Sequence, residues 1–367
     1  MNILYESWKK ESGMKVPASV SIESTIRCNM RCPMCDRTHK EDYQKHLKGE
    51  IPVEVLLKNV KILGRMGVKQ ILLIGGGEPL CRKDLPEVMT CIKKCGMRCH
   101  LWTNGTLFTE DNAKDIVQNA DIITISLDST IEAEHDKSRG VKGSYAHIMN
   151  TIELINKYRL PGLLLRFHSV ISKINISSLE KFVDFALDKG AGELGGALVN
   201  PWEFAPKDML FSEDDMLLVN RTLTSLRLLA KEKGIALAGA YCAIFDKGLK
   251  EYQEIYDLVD KVEQPTSCFG LWSMATIRPN GDVSVCCFTY KPKMGNLMEA
   301  NFDEIWNSPK AKKMRGIVKN GGYLDKPCQG CVFGHGILKD MMCKCDNAGD
   351  LLDDLVLQYS VNNYIIV

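Results

Sequence analysis

Six short apolar runs alternate with helical stretches between residues 18 and 200, and this alternation constrains the fold more than any other feature. The runs read ASVSIEST, KQILLIGG, RCHLWTNG, DIITISLD, GLLLRFHSVI and ELGGALVN. Between them lie stretches of helical period. In PVEVLLKNVKILGRMG, residues Val53, Leu56, Val60 and Leu63 share one stripe and Pro52 suits the first turn. Most of the runs are apolar throughout, as strands buried on both faces are. Strand, helix, strand in this order predicts a parallel sheet with right-handed crossovers. Six units fall short of a closed eight-stranded barrel. The expected class is α/β, a partial (β/α)6 TIM barrel, with IALAGAY (235–241) as a seventh strand or edge.

Chemistry in such folds gathers where the strands end. A cysteine-rich loop follows the first strand, Gly75–Pro79 the second and Thr103–Gly105 the third. Ser126–Ser129 ends the fourth, and Asn200 with Pro201 ends the sixth. Any one of these could be a tight turn; together they mark one rim.

The pattern changes after residue 200. Ser212 with Asp215 caps a long helix. MATIRPNGDVSVCC reads as a hairpin around Pro-Asn-Gly. A helical segment follows, with Asn301 and Glu304 at the box positions and a break near Pro309. The expected organisation is an N-terminal extension (1–17), a barrel (18–234), a connecting segment (235–267), a second module containing the hairpin (268–345) and a tail (346–367).

A net charge of +1 gives no global field for nucleic acid or an anionic membrane, and none is expected as a partner. No apolar run reaches the roughly 18 residues of a membrane span. The N-terminus lacks the apolar core of a signal peptide, so a cytoplasmic protein is expected. In a reducing compartment, fifteen cysteines point to metal ligation and to burial as small hydrophobes.

Cys28, Cys32 and Cys35 are spaced C-x3-C-x2-C. Structural zinc takes four ligands, and a ferredoxin-type cluster takes four thiolates. Three thiolates can hold three irons of a [4Fe–4S] cube and leave the fourth open for chemistry. This spacing after a first strand, with GGEP after a second, resembles the radical S-adenosylmethionine (radical SAM) superfamily. A zinc or ferredoxin-like structural site is the alternative. The resemblance implies that SAM binds the open iron and, on reduction, yields a 5′-deoxyadenosyl radical that takes a hydrogen atom from substrate. It also implies a flavodoxin or ferredoxin as reductant. Gly76, Gly77 and Glu78 match the element whose backbone receives the SAM amino group. Ser126 and Asp128 match positions facing its ribose and carboxylate, and Thr103 and Asn104 share that rim. Arg139 falls where relatives place a basic residue against the SAM carboxylate, or else is a solvated loop charge. Asn175 and Leu179 fall where the family packs adenine, although VISKINISSL matches that signature poorly.

Cys268, Gly281 and Cys286 read C-x12-G-x4-C, and Cys328 and Cys331 form C-x2-C. This is similar to the twitch or SPASM extension of radical SAM enzymes and implies four ligands to an auxiliary [4Fe–4S] cluster for electron transfer. The seven-cysteine SPASM pattern is broken, because VFGHGILKDMM separates Cys331 from Cys343. Cys343 and Cys345 alone are too few for a further cluster. Cys81, Cys91, Cys95 and Cys99 read as core hydrophobes. Cys242 and Cys287 are candidate hydrogen-atom donors to a substrate radical, with simple packing as the alternative and, for Cys287, ligation in place of Cys286.

The layout is similar to 2-deoxy-scyllo-inosamine dehydrogenase and related SPASM/twitch enzymes. Only 27 residues precede Cys28, fewer than a leader-peptide domain needs. A small polar metabolite of sugar, aminocyclitol or nucleoside type is therefore the expected substrate, with dehydrogenation the favoured outcome. Arg166 and His168 share inward parity on the fifth run; Arg166 would meet a substrate anion or an internal carboxylate. Glu203 is a candidate base. The alternatives are a peptide maturase, of the ribosomal-peptide or anaerobic sulfatase-maturase kind, and a non-catalytic iron–sulfur carrier or scaffold.

Overall fold

The computed structural model describes residues 15–39, 49–199, 205–239, 241, 270–286, 292–322 and 324. Asn200, Pro201, Glu203, Cys242, Cys268, Cys287, Cys328, Cys331, Cys343 and Cys345 lie outside these residues. The barrel portion runs β1 (Ser19–Glu23), α1 (Asp36–His39), α2 (Val53–Met66), β2 (Gln70–Ile74), α3 (Leu85–Lys94), β3 (Arg98–Thr103), α4 (Glu110–Gln118), β4 (Ile122–Ser126), α5 (Glu132–Arg139), α6 (Ser144–Tyr158), β5 (Leu164–Ile171), α7 (Phe182–Asp188), β6 (Glu193–Leu198), α8 (Glu213–Lys233) and β7 (Ala236–Gly239). After a helical turn at Gly270–Ser273 come β8 (Met274–Ile277), β9 (Asp282–Ser284), β10 (Gly295–Asn296), α9 (Phe302–Trp306) and α10 (Pro309–Lys319).

All ten strands form one sheet in the order β10-β9-β8-β1-β2-β3-β4-β5-β6-β7. Strands β1 to β7 are parallel throughout. The six expected β/α units are present, and 235–241 supplies β7 as an edge strand on β6. The sheet is not closed among the described residues. It does curl, because Trp102 of β3 meets His168 of β5 with ring centroids 4.9 Å apart. Trp102 also packs with Leu72 of β2 and Ala197 of β6.

Strand parity divides the sheet into two faces. Val20, Ile22, Ile71, Leu73, Leu101, Ile123, Ile125, Leu165 and Phe167 join the main core, which includes Leu56, Val60 and Leu63 of α2 and Ile148, Ile152 and Ile155 of α6. Each such side chain contributes about 1.5–3 kcal/mol on burial. The inner face carries Ser19, Ser21, Glu23, Gln70, His100, Thr124, Arg166, His168 and Glu193, all buried. Strands that look apolar in sequence are therefore two-sided, oily toward the helices and polar toward the lumen.

Local signals act where the sequence puts them. Thr109 and Asn112 form a capping box on α4, Ser212 and Asp215 on α8, and Asn301 and Glu304 on α9. Ser308 restarts the chain as α10 with Pro309 in its first turn, which explains the break. Cys91 and Cys99 are core residues and Cys95 packs against the core, as expected. Cys81 departs from expectation: it is only half-buried, and burial first, then the charges of Glu78 and Cys28, raise its pKa.

The hairpin forms as expected, with Thr276 opposite Ser284 and Ile277 opposite Val283. What its sequence does not show is that β8 pairs in parallel with β1, Ser19 to Met274 through Ile22 to Ile277. The tip docks as well: the Ile51 amide donates to Pro279 O at 2.6 Å, and the Phe302 amide to Asn59 Oδ1 at 2.8 Å.

Candidate active site at the strand ends

The loop from Cys28 to Cys35 leaves β1 and turns into α1, with the Cys35 amide donating to Cys32 O (3.1 Å) and the Thr38 amide to Cys35 O (2.9 Å). All three thiols are half-buried. Burial first pushes up both Cys28 and Cys32, with Glu78 and Cys35 adding to it at Cys28 and with Cys35, Asp128 and Cys28 adding to it at Cys32, which rises to about 11. Loading iron here therefore releases protons. Among the described residues, no three His, Cys, Asp or Glu side chains stand close enough to share a single metal ion. In a cube each thiolate takes its own iron. The Met30 amide donates to Cys28 Sγ at 3.4 Å, and Arg37 Nη2 donates to Met30 O at 2.6 Å.

Two glycines clamp this loop from outside it. A Cβ on Gly77 would stand 2.1 Å from the Arg27 carbonyl oxygen, and one on Gly140 2.3 Å from that of Arg31. The Gly77 and Glu78 amides donate to Thr25 O and Arg27 O, each at 2.8 Å. The GGE backbone is thus bolted to the chain entering the cysteine loop.

Glu78 is buried and its carboxylate accepts from Thr103 Oγ1 (2.6 Å), the Asn104 amide (2.7 Å) and the Leu80 amide (3.2 Å). Burial raises its pKa to about 7, against the pull of those donors. Thr103 and Asn104 are therefore held by Glu78 rather than lying independently on the rim. Asn104 Nδ2 donates to Asn29 Oδ1 at 2.9 Å and lies 4.0 Å from Cys28 Sγ, and Asn29 Nδ2 donates to Thr106 Oγ1 at 2.7 Å.

Ser126 is half-exposed at the end of β4. Asp128 is not: it has no accessible surface. Its carboxylate accepts from Arg139 Nη2 (2.5 Å), Ser138 Oγ (2.5 Å) and the Val170 amide (2.9 Å). The resemblance puts Asp128 among the positions facing SAM; in the structure its carboxylate is turned to Arg139, Ser138 and the Val170 amide. Arg139 is correspondingly no solvated loop charge. It is buried, pairs with Asp128, interacts electrostatically with Cys32, and keeps a buried Nε with no hydrogen-bond partner among the described residues. Asn175 is also inward, donating to Asp128 O (2.6 Å) and Val170 O (2.8 Å) and so tying β4 to β5.

On the inner face, Arg166 Nη2 meets Glu193 Oε2 at 2.9 Å. A carboxylate that a buried arginine needs thus comes from β6, the internal partner that the sequence left open beside a substrate anion. His168 sits opposite Ser126 in register. Burial, with Arg139 and Arg166 nearby, holds its imidazole well below the usual histidine range, so it is neutral at pH 7, with Nε2 unpartnered.

At the other edge, Cys286 follows β9 half-buried. Arg278 Nη2 donates to Cys286 O at 3.1 Å, and Nη1 pairs with Glu23 of β1.

Sequence reasoning missed Asn29, Thr106, Gly140, Glu193, Glu23 and Arg278. Gly140 closes α5 at φ 68°, a signal legible as a glycine ending a helical stretch in SRG. Glu193 had none, because a cross-strand partner depends on register.

A SAM-binding [4Fe–4S] cluster fits these residues. Three thiols come from one loop, N–H groups face Cys28 Sγ, and a buried guanidinium with an unpartnered Nε adjoins Cys32. Residues 22–186 match the radical SAM superfamily, and residues 268–332 match the SPASM iron–sulfur cluster-binding domain. The chain is 25% identical over 327 residues to a PqqA peptide cyclase from Streptomyces rochei, covering 87% of this chain and 82% of that one. It is 26% identical over 332 residues to an AdoMet-dependent heme synthase from Methanosarcina barkeri, covering 86% and 91%. Its fold is similar to that of SuiB from Streptococcus suis bound to S-adenosylmethionine, with TM-score 0.64 at 17% identity over 85% of this chain and 71% of that one. Three cysteines after β1, a GGE loop bolted to them and a cysteine hairpin on the sheet's other edge agree with those matches, and the chain belongs to the radical SAM superfamily, with a SPASM iron–sulfur domain following its barrel.

Proposed function

We propose that this enzyme abstracts a hydrogen atom from a small polar substrate of sugar, aminocyclitol or nucleoside type. The observation that carries the reading is the lumen's chemistry. Buried atoms without a protein partner include His168 Nε2, His100 Nδ1, Glu193 Oε1, Glu23 Oε2 and both amide atoms of Gln70. Leaving such groups unpaired costs about 1–3 kcal/mol each, so a hydroxyl- or amine-bearing ligand, with water, suits that face better than an apolar one.

When bound, the SAM cluster and SAM together supply one-electron cleavage to a 5′-deoxyadenosyl radical. In this reading Cys28, Cys32 and Cys35 hold three irons, and Asn104 and the Met30 amide support the Cys28 sulfur. The Gly76–Gly77 backbone, Ser126 and Arg139 hold SAM, Asp128 fixing the guanidinium. Neutral His168 accepts a substrate O–H or N–H, and the Arg166–Glu193 pair orients it. Cys268, Cys286, Cys328 and Cys331 would hold the auxiliary [4Fe–4S] cluster, which would supply one-electron transfer suited to a dehydrogenation. Cys242, Cys287 or Glu203 would serve as hydrogen donor or base. The compartment is the cytoplasm and the reductant a flavodoxin or ferredoxin.

A second reading, peptide modification, is favoured by the similarity to the peptide cyclase. The test is to quantify 5′-deoxyadenosine with dithionite while metabolite and peptide panels are added. Stimulation by an amino sugar or nucleoside, lost in the Cys28→Ala, Cys32→Ala, Cys35→Ala variant, is expected. Stimulation by peptides alone would replace the first reading with the second.

A further inference from the structure

We propose that the buried Glu23–Arg278 pair sets the reduction potential of the auxiliary cluster, with Arg278 as the positioning residue that carries the effect to Cys286. The inference rests on Cys286 being a ligand of that cluster, as read above. Arg278 has almost no accessible surface, and its guanidinium reaches Cys286, Ser284 and Glu23 among its partners. Nη2 donates to the carbonyl of Cys286 at 3.1 Å, Nε lies 3.4 Å from Ser284 Oγ, and Nη1 pairs with Glu23. The arm touching the cysteine is a cation, and the balancing carboxylate lies beyond it on a different strand. Parallel pairing of β8 with β1 makes the arrangement possible, because Ile277 opposite Ile22 puts Arg278 beside Glu23.

The physical consequence has a definite sign. Reducing a cluster adds a negative charge to it. A buried guanidinium against a ligand's own carbonyl favours the reduced form, and a carboxylate at longer range opposes it, both weakly screened at this depth. Among the described residues Glu23 Oε2 has no hydrogen-bond partner, so Arg278 meets only one of the two carboxylate oxygens. A single substitution on either side then moves the potential in opposite directions, which loss of packing or hydrogen bonding does not do.

The test is an EPR-monitored dithionite titration of the full chain in the Cys28→Ala, Cys32→Ala, Cys35→Ala background, where about four irons of one [4Fe–4S] cluster remain. Arg278→Met should shift the reduction equilibrium at least tenfold against the reduced form, 59 mV downward for one electron. Glu23→Gln, nearly isosteric, should shift it upward, and Arg278→Lys should shift it less than Arg278→Met. Shifts of the same sign in Arg278→Met and Glu23→Gln, or none in Glu23→Gln, overturn the proposal. Should Arg278→Met fail to fold, Glu23→Gln alone decides. Cys286→Ala in the same background separates the premise: retention of its four irons would refute Cys286 as ligand, whatever the potentials do.

Discussion

Gly140 lies so close to Arg31 that a Cβ on it would stand 2.3 Å from the Arg31 carbonyl oxygen. With Gly77 against Arg27, this contact fixes the cysteine loop at its entrance and again just before Cys32. Gly140→Ala should therefore displace the loop as well as strain φ 68°. Iron should fall from about eight per chain toward four, with far-UV circular dichroism unchanged. Gly143 has φ 82° and open space at its Cβ, so Gly143→Ala should cost about 1 kcal/mol and no iron.

The Glu78 carboxyl, raised by burial from 4.5 to about 7, holds its proton in the folded state at pH values where the unfolded chain has lost it. Folded protein then binds more protons than unfolded, so this group's contribution falls as pH rises from 4.5 to 7 and is constant above. The total is about 3 kcal/mol. Urea unfolding of the iron-free protein should show wild type losing more stability than Glu78→Gln between pH 5 and 8. Equal losses would contradict it.

Arg166 and Glu193 form a buried pair, so removing the guanidinium leaves a buried carboxylate without this cation. Arg166→Met should cost about 3–5 kcal/mol in urea unfolding, and Arg166→Met with Glu193→Leu should cost less than the sum of the two single changes. Additive losses in the double variant would mean the two do not interact.

Asn104 ties Glu78 to Asn29 and faces Cys28 Sγ. Asn104→Ala should lower 5′-deoxyadenosine formation about tenfold, with about eight irons retained. Iron loss in parallel would show that Asn104 holds the loop together rather than supporting one sulfur.

The sheet was legible because its signals are local. Helical stripes, the Ser212 and Asn301 boxes and the Pro309 restart each depend on residues within a turn of one another. The cysteine spacing and GGE were legible for the same reason. What was not legible depends on register between distant strands. Arg166 needs Glu193 across β5 and β6, and Asp128 is consumed by Arg139 and Val170 through the packing of α5 and β5 on β4. Cys81 looked like filler because nothing in its neighbours says that the GGEP turn leads it back to Cys28.

The pairing of β8 with β1 also governs the order in which the molecule can be made. The partner for the free edge of the first strand emerges from the ribosome roughly 250 residues later, about 13–50 s at ordinary elongation rates. Until then that edge is an unpaired template for other chains, and the long loop it must wait to close makes this the slowest contact in the sheet. Glu23 lies on that edge, so its guanidinium partner arrives with the same late strand. A nascent chain would therefore have its first three cysteines in place while the edge beside them is still open, and a synthesis pause before residue 274 should raise aggregation more than one after residue 286.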